Sequence, residues 1–141
     1  MYKKFFYYSL LVIFVFVLDR LSKLLILNLA EVNETIDIYV TSYLNFYLVW
    51  NKGVGFGILS LEKNSAYNFI TIIIILINFL ILFLITRYND FRVYLLLIIL
   101  GGSLGNLFDR IYFRAVPDFI DLHYHNFHWF IFNVADIFIS I

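Results

Sequence analysis

From Asn64 to Thr86 the chain carries no charged residue, and the centre of that run reads INFLILFLI. A helix needs about 20 apolar residues to cross the ~30 Å hydrocarbon core of a bilayer, so this run predicts a transmembrane helix over about 65–86. A second uncharged run, Val93 to Phe108, predicts another over about 91–111 once its flanks are included. Phe5 to Leu18 and Leu24 to Ala30 are apolar as well, interrupted by Asp19, Arg20 and Lys23, and predict a helix over about 5–27. No small-residue cleavage site follows it, which argues against a secretory leader. The last apolar run, Trp129 to Ile141, reaches only roughly 20 Å as a helix and is expected to form a partial, apparently truncated fourth helix.

Composition agrees. Of 141 residues 63% are hydrophobic and 14% charged, and a soluble domain of this size could not bury so much apolar surface. Between the first two helices, IDIYV and YLNFYLVWN alternate and are rich in β-branched and aromatic residues, as strands are. The expected fold is a mainly α membrane protein: a four-transmembrane-helix bundle with a small extracytoplasmic β-element over about 34–62, all within one integral membrane domain, 1–141. Lys3 and Lys4 at the amino terminus, with Arg87 and Arg92 in the RYNDFR loop, put that terminus and that loop on the cytoplasmic side. Arg110 and Arg114 then fall on the outer side against the rule, which suggests local pairing with aspartates.

Charged residues at bilayer depth are costly, so those that remain point to function. Asp19 and Lys23 stand four apart and share a helix face, as a neutralising pair would. GGSLGNLFDR closes the third helix with small residues that permit close packing, and places Asn106 and Arg110 four apart. Arg110 could offer a donor fork to a carboxylate. Asp118 and Asp136 bracket the second outer loop; a hairpin there would return both to one membrane face. Two carboxylates sharing a proton can activate water, the chemistry of aspartic proteases. Asp109 and Asp121 compete on the same grounds.

Other chemistries are poorly served. The formal net charge is +0 with no basic stripe, so no nucleic-acid partner is expected. The absence of cysteine removes disulfides, thiol nucleophiles and thiolate metal sites. No GxSxG, HExxH or P-loop pattern occurs. His123, His125 and His128 lie in HYHNFH at a spacing that fits no standard zinc site and reads as an interfacial aromatic belt, so no metal is expected. A transporter using intramembrane aspartates is the rival class, but its charges would spread through the bilayer depth, whereas here they gather toward one face.

Five blocks occur in order: DRLSK, NKGVGF, GGSLGNLFDR, VPDFIDL and FNVAD. Together they resemble lipoprotein signal peptidase (signal peptidase II), a family of bacterial membrane aspartyl peptidases, over nearly the whole chain. The resemblance implies that Asp118 and Asp136 are the catalytic pair and that Asn106, Arg110 and Asn133 position the pair and the substrate backbone. It makes Asp19, Lys23, Asn51 and Gly53 structural or substrate-lining, and leaves Asp109 beside them. Pro117 departs from the family pattern, which favours an aliphatic residue there. The implied activity is removal of the signal peptide from diacylglyceryl-modified prolipoproteins, cut just before the lipidated lipobox cysteine. The implied setting is the bacterial inner membrane, with the amino terminus cytoplasmic and the site toward the extracytoplasmic face. Membrane lipid is the other expected partner, a monomer the expected state, and neither metal nor organic cofactor is implied.

Overall fold

In the computed structural model the described residues are 2–33, 36–53, 64–125 and 127–141. The molecule is mainly helical with one small antiparallel sheet. Helix α1 runs Tyr2–Asn33, strands β1 and β2 run Asp37–Thr41 and Leu44–Asn51, and helices α2 and α3 run Asn64–Arg87 and Arg92–Tyr112. Strands β3 (Val116–Tyr124) and β4 (Phe127–Phe132) follow, and α4 (Val134–Ile139) closes the chain. The expectation of β-structure out to residue 62 falls partly on 54–63, outside the described residues.

Among the described residues two helices are long and apolar enough to cross a membrane, Ala66–Arg87 and Arg92–Tyr112. Their difference in burial is physical. On α2, Phe69, Ile72, Leu76 and Phe79 are all exposed, an apolar surface of the kind a bilayer would cover. On α3, by contrast, Val93, Leu97, Leu100, Gly101, Gly102, Ser103 and Gly105 are buried, because α3 is the central post against which α1, α2 and α4 pack.

The glycines explain how closely that packing is drawn. A Cβ built on Gly101 would stand 2.7 Å from Cβ of Val15 and 2.9 Å from the backbone oxygen of Val12, both on α1. One on Gly102 would stand 2.7 Å from the backbone oxygen of Ala135 on α4. Small residues therefore let two helix backbones approach α3 directly.

The sheet has the order β1-β2-β3-β4, antiparallel throughout. It rests on the end of α1: Ile26, Ile36 and Phe119 form a buried cluster, with Ala30, Phe46, Leu48, Ile120 and Val134 packed around it. Two irregularities interrupt the pairing of β3, between Phe46 and Val49 on β2 and between Asp121 and His123 against β4. Such bulges re-aim side chains, and both lie next to charged groups.

Two expectations need correction. Trp129–Phe132 is not the start of a fourth helix. It belongs to β4, which pairs with β3 from Tyr124↔Phe127 to Ile120↔Phe132, and helix begins only at Val134. The stop is local: Asn133 adopts extended backbone (φ −125°) and caps α4, its side chain accepting from the Asp136 N–H while the Asp136 carboxylate accepts from the Asn133 N–H. Likewise VPDFIDLHY is a strand, not a connecting loop.

Replacing Gly101 by valine should lower the thermal midpoint of the purified protein by several degrees. The relief of a helical glycine is worth up to about 1 kcal/mol, whereas overpacking against a backbone that cannot yield costs roughly 1–3 kcal/mol. A midpoint at or above that of the parent would show that α1 and α3 are not held at glycine distance.

Candidate active site

At the end of the bundle that meets the sheet, α1 and α3 bury a cluster of four charges. Asp19, Lys23 and Asp109 have no exposed surface at all. The Lys23 ammonium donates to Asp19 Oδ2 at 2.9 Å, to Asp109 Oδ2 at 2.7 Å and to Asn106 Oδ1 at 2.8 Å. Arg20 closes the cluster against Asp109 at 2.6 Å. Two cations and two anions leave it neutral, which is what makes burial tolerable; breaking such a set leaves an uncompensated charge. Asp19 and Lys23 are thus more than the pair their spacing suggests, and the Arg20–Asp109 bridge joins residues far apart in sequence.

From that cluster the contacts lead outward to two more carboxylates. The ammonium fixes Oδ1 of Asn106, so its amide nitrogen faces Asp136 Oδ1 at 2.8 Å. Asp19 Oδ1 accepts from the Ala135 N–H at 3.0 Å, holding the first turn of α4 to α1. Gly105 makes room for this: a Cβ there would collide with the Asp19 carboxylate.

Asn133 joins the two acids. Its side-chain amide donates to Asp118 Oδ1 at 2.6 Å, and its backbone N–H donates to Asp136 Oδ2 at 3.1 Å. The second oxygen of Asp118 accepts from Asn51 at 2.8 Å. Each carboxylate thus receives two hydrogen bonds, all from neutral nitrogens, and among the described residues no cation touches either. Neutral donors orient a carboxylate without discharging it. Burial therefore dominates at Asp118: loss of solvent, then repulsion from Asp136, pushes its carboxyl up to about 6, with Asn133 and Asn51 opposing.

Arg110 departs from expectation. Among the described residues its guanidinium reaches no carboxylate; it donates to the backbone oxygen of Gly53 and lies over the Tyr67 ring at 5.6 Å. Gly53 in turn donates its N–H to Asn51 Oδ1 at 2.8 Å. Arg110 thus acts on Asp118 through Gly53 and Asn51. Arg114 is exposed and makes no ion pair among the described residues.

Both carboxylates line one cavity of about 400 Å³. One wall is isoleucine from α2 and α3 (Ile70, Ile73, Ile74, Ile77, Ile81, Ile99), and the polar end carries Asn51, Asn106, Arg110, Asp118, Asn133 and Asp136. A second cavity, about 490 Å³, also reaches Asp136 and is mostly aromatic. The competing aspartates are engaged elsewhere: Asp109 with Lys23 and Arg20, and Asp121 with His128 at 2.9 Å. The structure thus gathers Asn106, Asn51, Gly53, Asp118, Asn133 and Asp136 at one place, with Asp19, Lys23 and Asp109 directly behind and Arg110 at its rim. Sequence reasoning missed Ala135, whose backbone N–H locks α4 to Asp19, and the grouping of Asp121 with two histidines.

A sheet-capped helical bundle with two amide-tethered carboxylates, one buried and one half-buried, at the head of an apolar cavity has the make-up of a membrane aspartyl hydrolase. The sequence profile of the signal peptidase (SPase) II family matches residues 11–141, and the chain belongs to that family. It is similar to the lipoprotein signal peptidase of Pelagibacter ubique (strain HTCC1062), 50% identical over 99% of this chain and 84% of that protein. The lipoprotein signal peptidase of Aquifex aeolicus (strain VF5) is 40% identical over 95% of this chain and 79% of its own length. Among solved structures, one described as a bacterial membrane enzyme, determined by the in meso method at 2.3 Å resolution, superposes with a TM-score of 0.70. It is 26% identical and aligns over 94% of this chain and 80% of that one.

Two outcomes follow from the electrostatics. Asp118 is neutral in both folded and unfolded chain below about pH 3.8, and only in the unfolded chain does it ionise readily between there and about pH 6. Its contribution to stability is therefore full at low pH and lost as pH rises through about 6, on the order of 3 kcal/mol in all. The stability difference between parent and Asp118→Asn should shift in that direction between pH 4.5 and 7.5; a pH-independent difference would contradict it. Secondly, Lys23→Met should cost roughly 3–5 kcal/mol by leaving one buried negative charge in excess. Adding Asp19→Asn restores neutrality and should recover much of the thermal stability. It does not restore the orientation of Asn106, so cleavage activity should stay low.

Proposed function

We propose that this chain is a membrane aspartyl endopeptidase that removes the signal peptide from diacylglyceryl-modified prolipoproteins, cleaving before the lipidated cysteine. The observation that carries the reading is the double tether of Asn133, whose side chain holds Asp118 and whose backbone holds Asp136 at the polar end of an isoleucine-walled cavity. Family membership and relatives named lipoprotein signal peptidase supply the substrate class.

In the proposed reaction the pair holds one proton. The ionised carboxylate takes a proton from a water molecule as its oxygen attacks the scissile carbonyl carbon, while the protonated partner donates to the carbonyl oxygen. The tetrahedral diol then returns a proton to the leaving nitrogen and the C–N bond breaks. The raised Asp118 carboxyl, pushed up to about 6, brings its ionisation closer to neutral pH, which favours sharing of one proton within the pair. The isoleucine wall suits an apolar helix or acyl chain, and Asn51, Asn106 and Arg110 at the polar end offer hydrogen bonds to an extended backbone.

Orientation is part of the proposal. Lys4 donates to Asn89 at 2.9 Å, so the basic amino terminus and the basic loop between α2 and α3 share one end of the bundle. The sheet and both carboxylates are at the other. By the distribution of Lys and Arg the first end is cytoplasmic, and the chain crosses the inner membrane several times with its site facing outward as a monomer.

Asp118→Asn and Asp136→Asn should each reduce cleavage of a diacylated lipobox peptide at least about 10³-fold while preserving insertion into the membrane. The parent in lipid nanodiscs should cleave before the lipidated cysteine and leave the unlipidated peptide intact. Near-normal turnover by either variant would remove that residue from the pair.

A further inference from the structure

A second cluster of ligating side chains lies on the β3–β4 hairpin, apart from the paired carboxylates. Asp121 and His123 stand two apart on β3, so the pleat points both to one face. His128 on β4 pairs directly with His123 in the strand register, and the bulge between Asp121 and His123 brings it within reach of Asp121 as well. One ligand atom from each of the three residues lies within 4.8 Å of the others.

His128 Nδ1 is hydrogen-bonded to both oxygens of Asp121, at 3.1 and 2.9 Å, and a second imidazole nitrogen stands beside them without a partner of its own among the described residues. Asp121 is buried, and its carboxylate meets His128 Nδ1 at 2.9 Å and His123 Nδ1 at 3.8 Å. His123 Nδ1 is itself buried and makes no hydrogen bond among the described residues. The imidazole rings stack with centroids 5.2 Å apart, so both present the same edge to one carboxylate. Bonds of about 2.0–2.2 Å to a tetrahedral zinc ion put ligand atoms about 3.3–3.5 Å apart. The two observed separations from the carboxylate bracket that value.

We propose that Asp121, His123 and His128 form a binding site for a late first-row divalent cation such as Zn²⁺, which clips β3 to β4. Two imidazoles and one carboxylate suit zinc, nickel and copper rather than magnesium or calcium. His128 is 57% exposed, which gives the ion a route in and leaves a further coordination position to water. The clip would stiffen one wall of the aromatic cavity, which His123 and Asp136 both line. Spacing along the chain hides the site, because His128 arrives by cross-strand pairing.

The test uses the full chain in detergent with any polyhistidine tag removed. Zn²⁺ titration by calorimetry should show one ion per chain with a dissociation constant below about 100 μM, and Co²⁺ in its place should give the visible bands of a four- or five-coordinate ion. Loss of a mere supporting partner costs metal sites roughly 10–100-fold in affinity, so His123→Ala and His128→Ala should each weaken binding at least that much, while His125→Ala leaves it unchanged. Thermal stability should rise with Zn²⁺ in the parent and not in the two ligand variants, and excess Mg²⁺ should not compete. Weaker binding, or binding that survives both substitutions, overturns the site. Because the exposed His128 contributes little to the core, its variant separates loss of a ligand from loss of the fold.

Discussion

The ammonium of Lys23 is the contact on which the rest of this architecture depends. It sits in the interior with no access to solvent, and it is tolerated there because Asp19, Asp109 and Asn106 each accept one of its three protons. Through those acceptors it ties α1 to α3 at the level where both meet the sheet, and through Asp19 it reaches the first turn of α4. A buried lysine satisfied in this way adds little net stability against an apolar alternative of the same shape. What it supplies is a fixed geometry: one orientation of Asn106, and with it one orientation of the amide that faces Asp136.

The separation between cations and the paired carboxylates follows from the same arrangement. Lys23 and Arg20 are spent on Asp19 and Asp109, and Arg110 is spent on a peptide oxygen, so among the described residues Asp118 and Asp136 are addressed by amides. Had an arginine paired with Asp118, its carboxyl would be driven below the ordinary range and no proton could be shared at neutral pH. Charge is used to build the scaffold and is kept one residue away from the chemistry proposed for it.

Much of this was legible in the chain. The uncharged run beginning at Asn64 and the run before Asp109 announced α2 and α3 by their length, and alternation announced β1 and β2 by its period, because in each case a local signal determines the element. The glycines of GGSLG announced close packing. FHWFIF did not announce a strand: an unbroken apolar run reads equally as buried helix or strand, and only its pairing with β3 and the cap at Asn133 decide. Ordered motif blocks singled out Asp118 and Asp136, whereas spacing alone left Asp109 and Asp121 in contention until their own partners were visible. For Arg110 only the partner differs: a guanidinium between aspartates invites an ion pair, and nothing in the sequence shows that the peptide oxygen of Gly53 takes its place.

The corner at Asn133 has a consequence for how this protein can change over generations. Its backbone and side chain start α4, and the carboxylate that completes that cap is Asp136 itself. A substitution there loosens the helix and releases Asp118 and Asp136 in one step, so the cap and the placement of the two carboxylates change together. The start of α4 and the placement of both acids are thus set by one residue, a constraint that the exposed residues of α2 do not share.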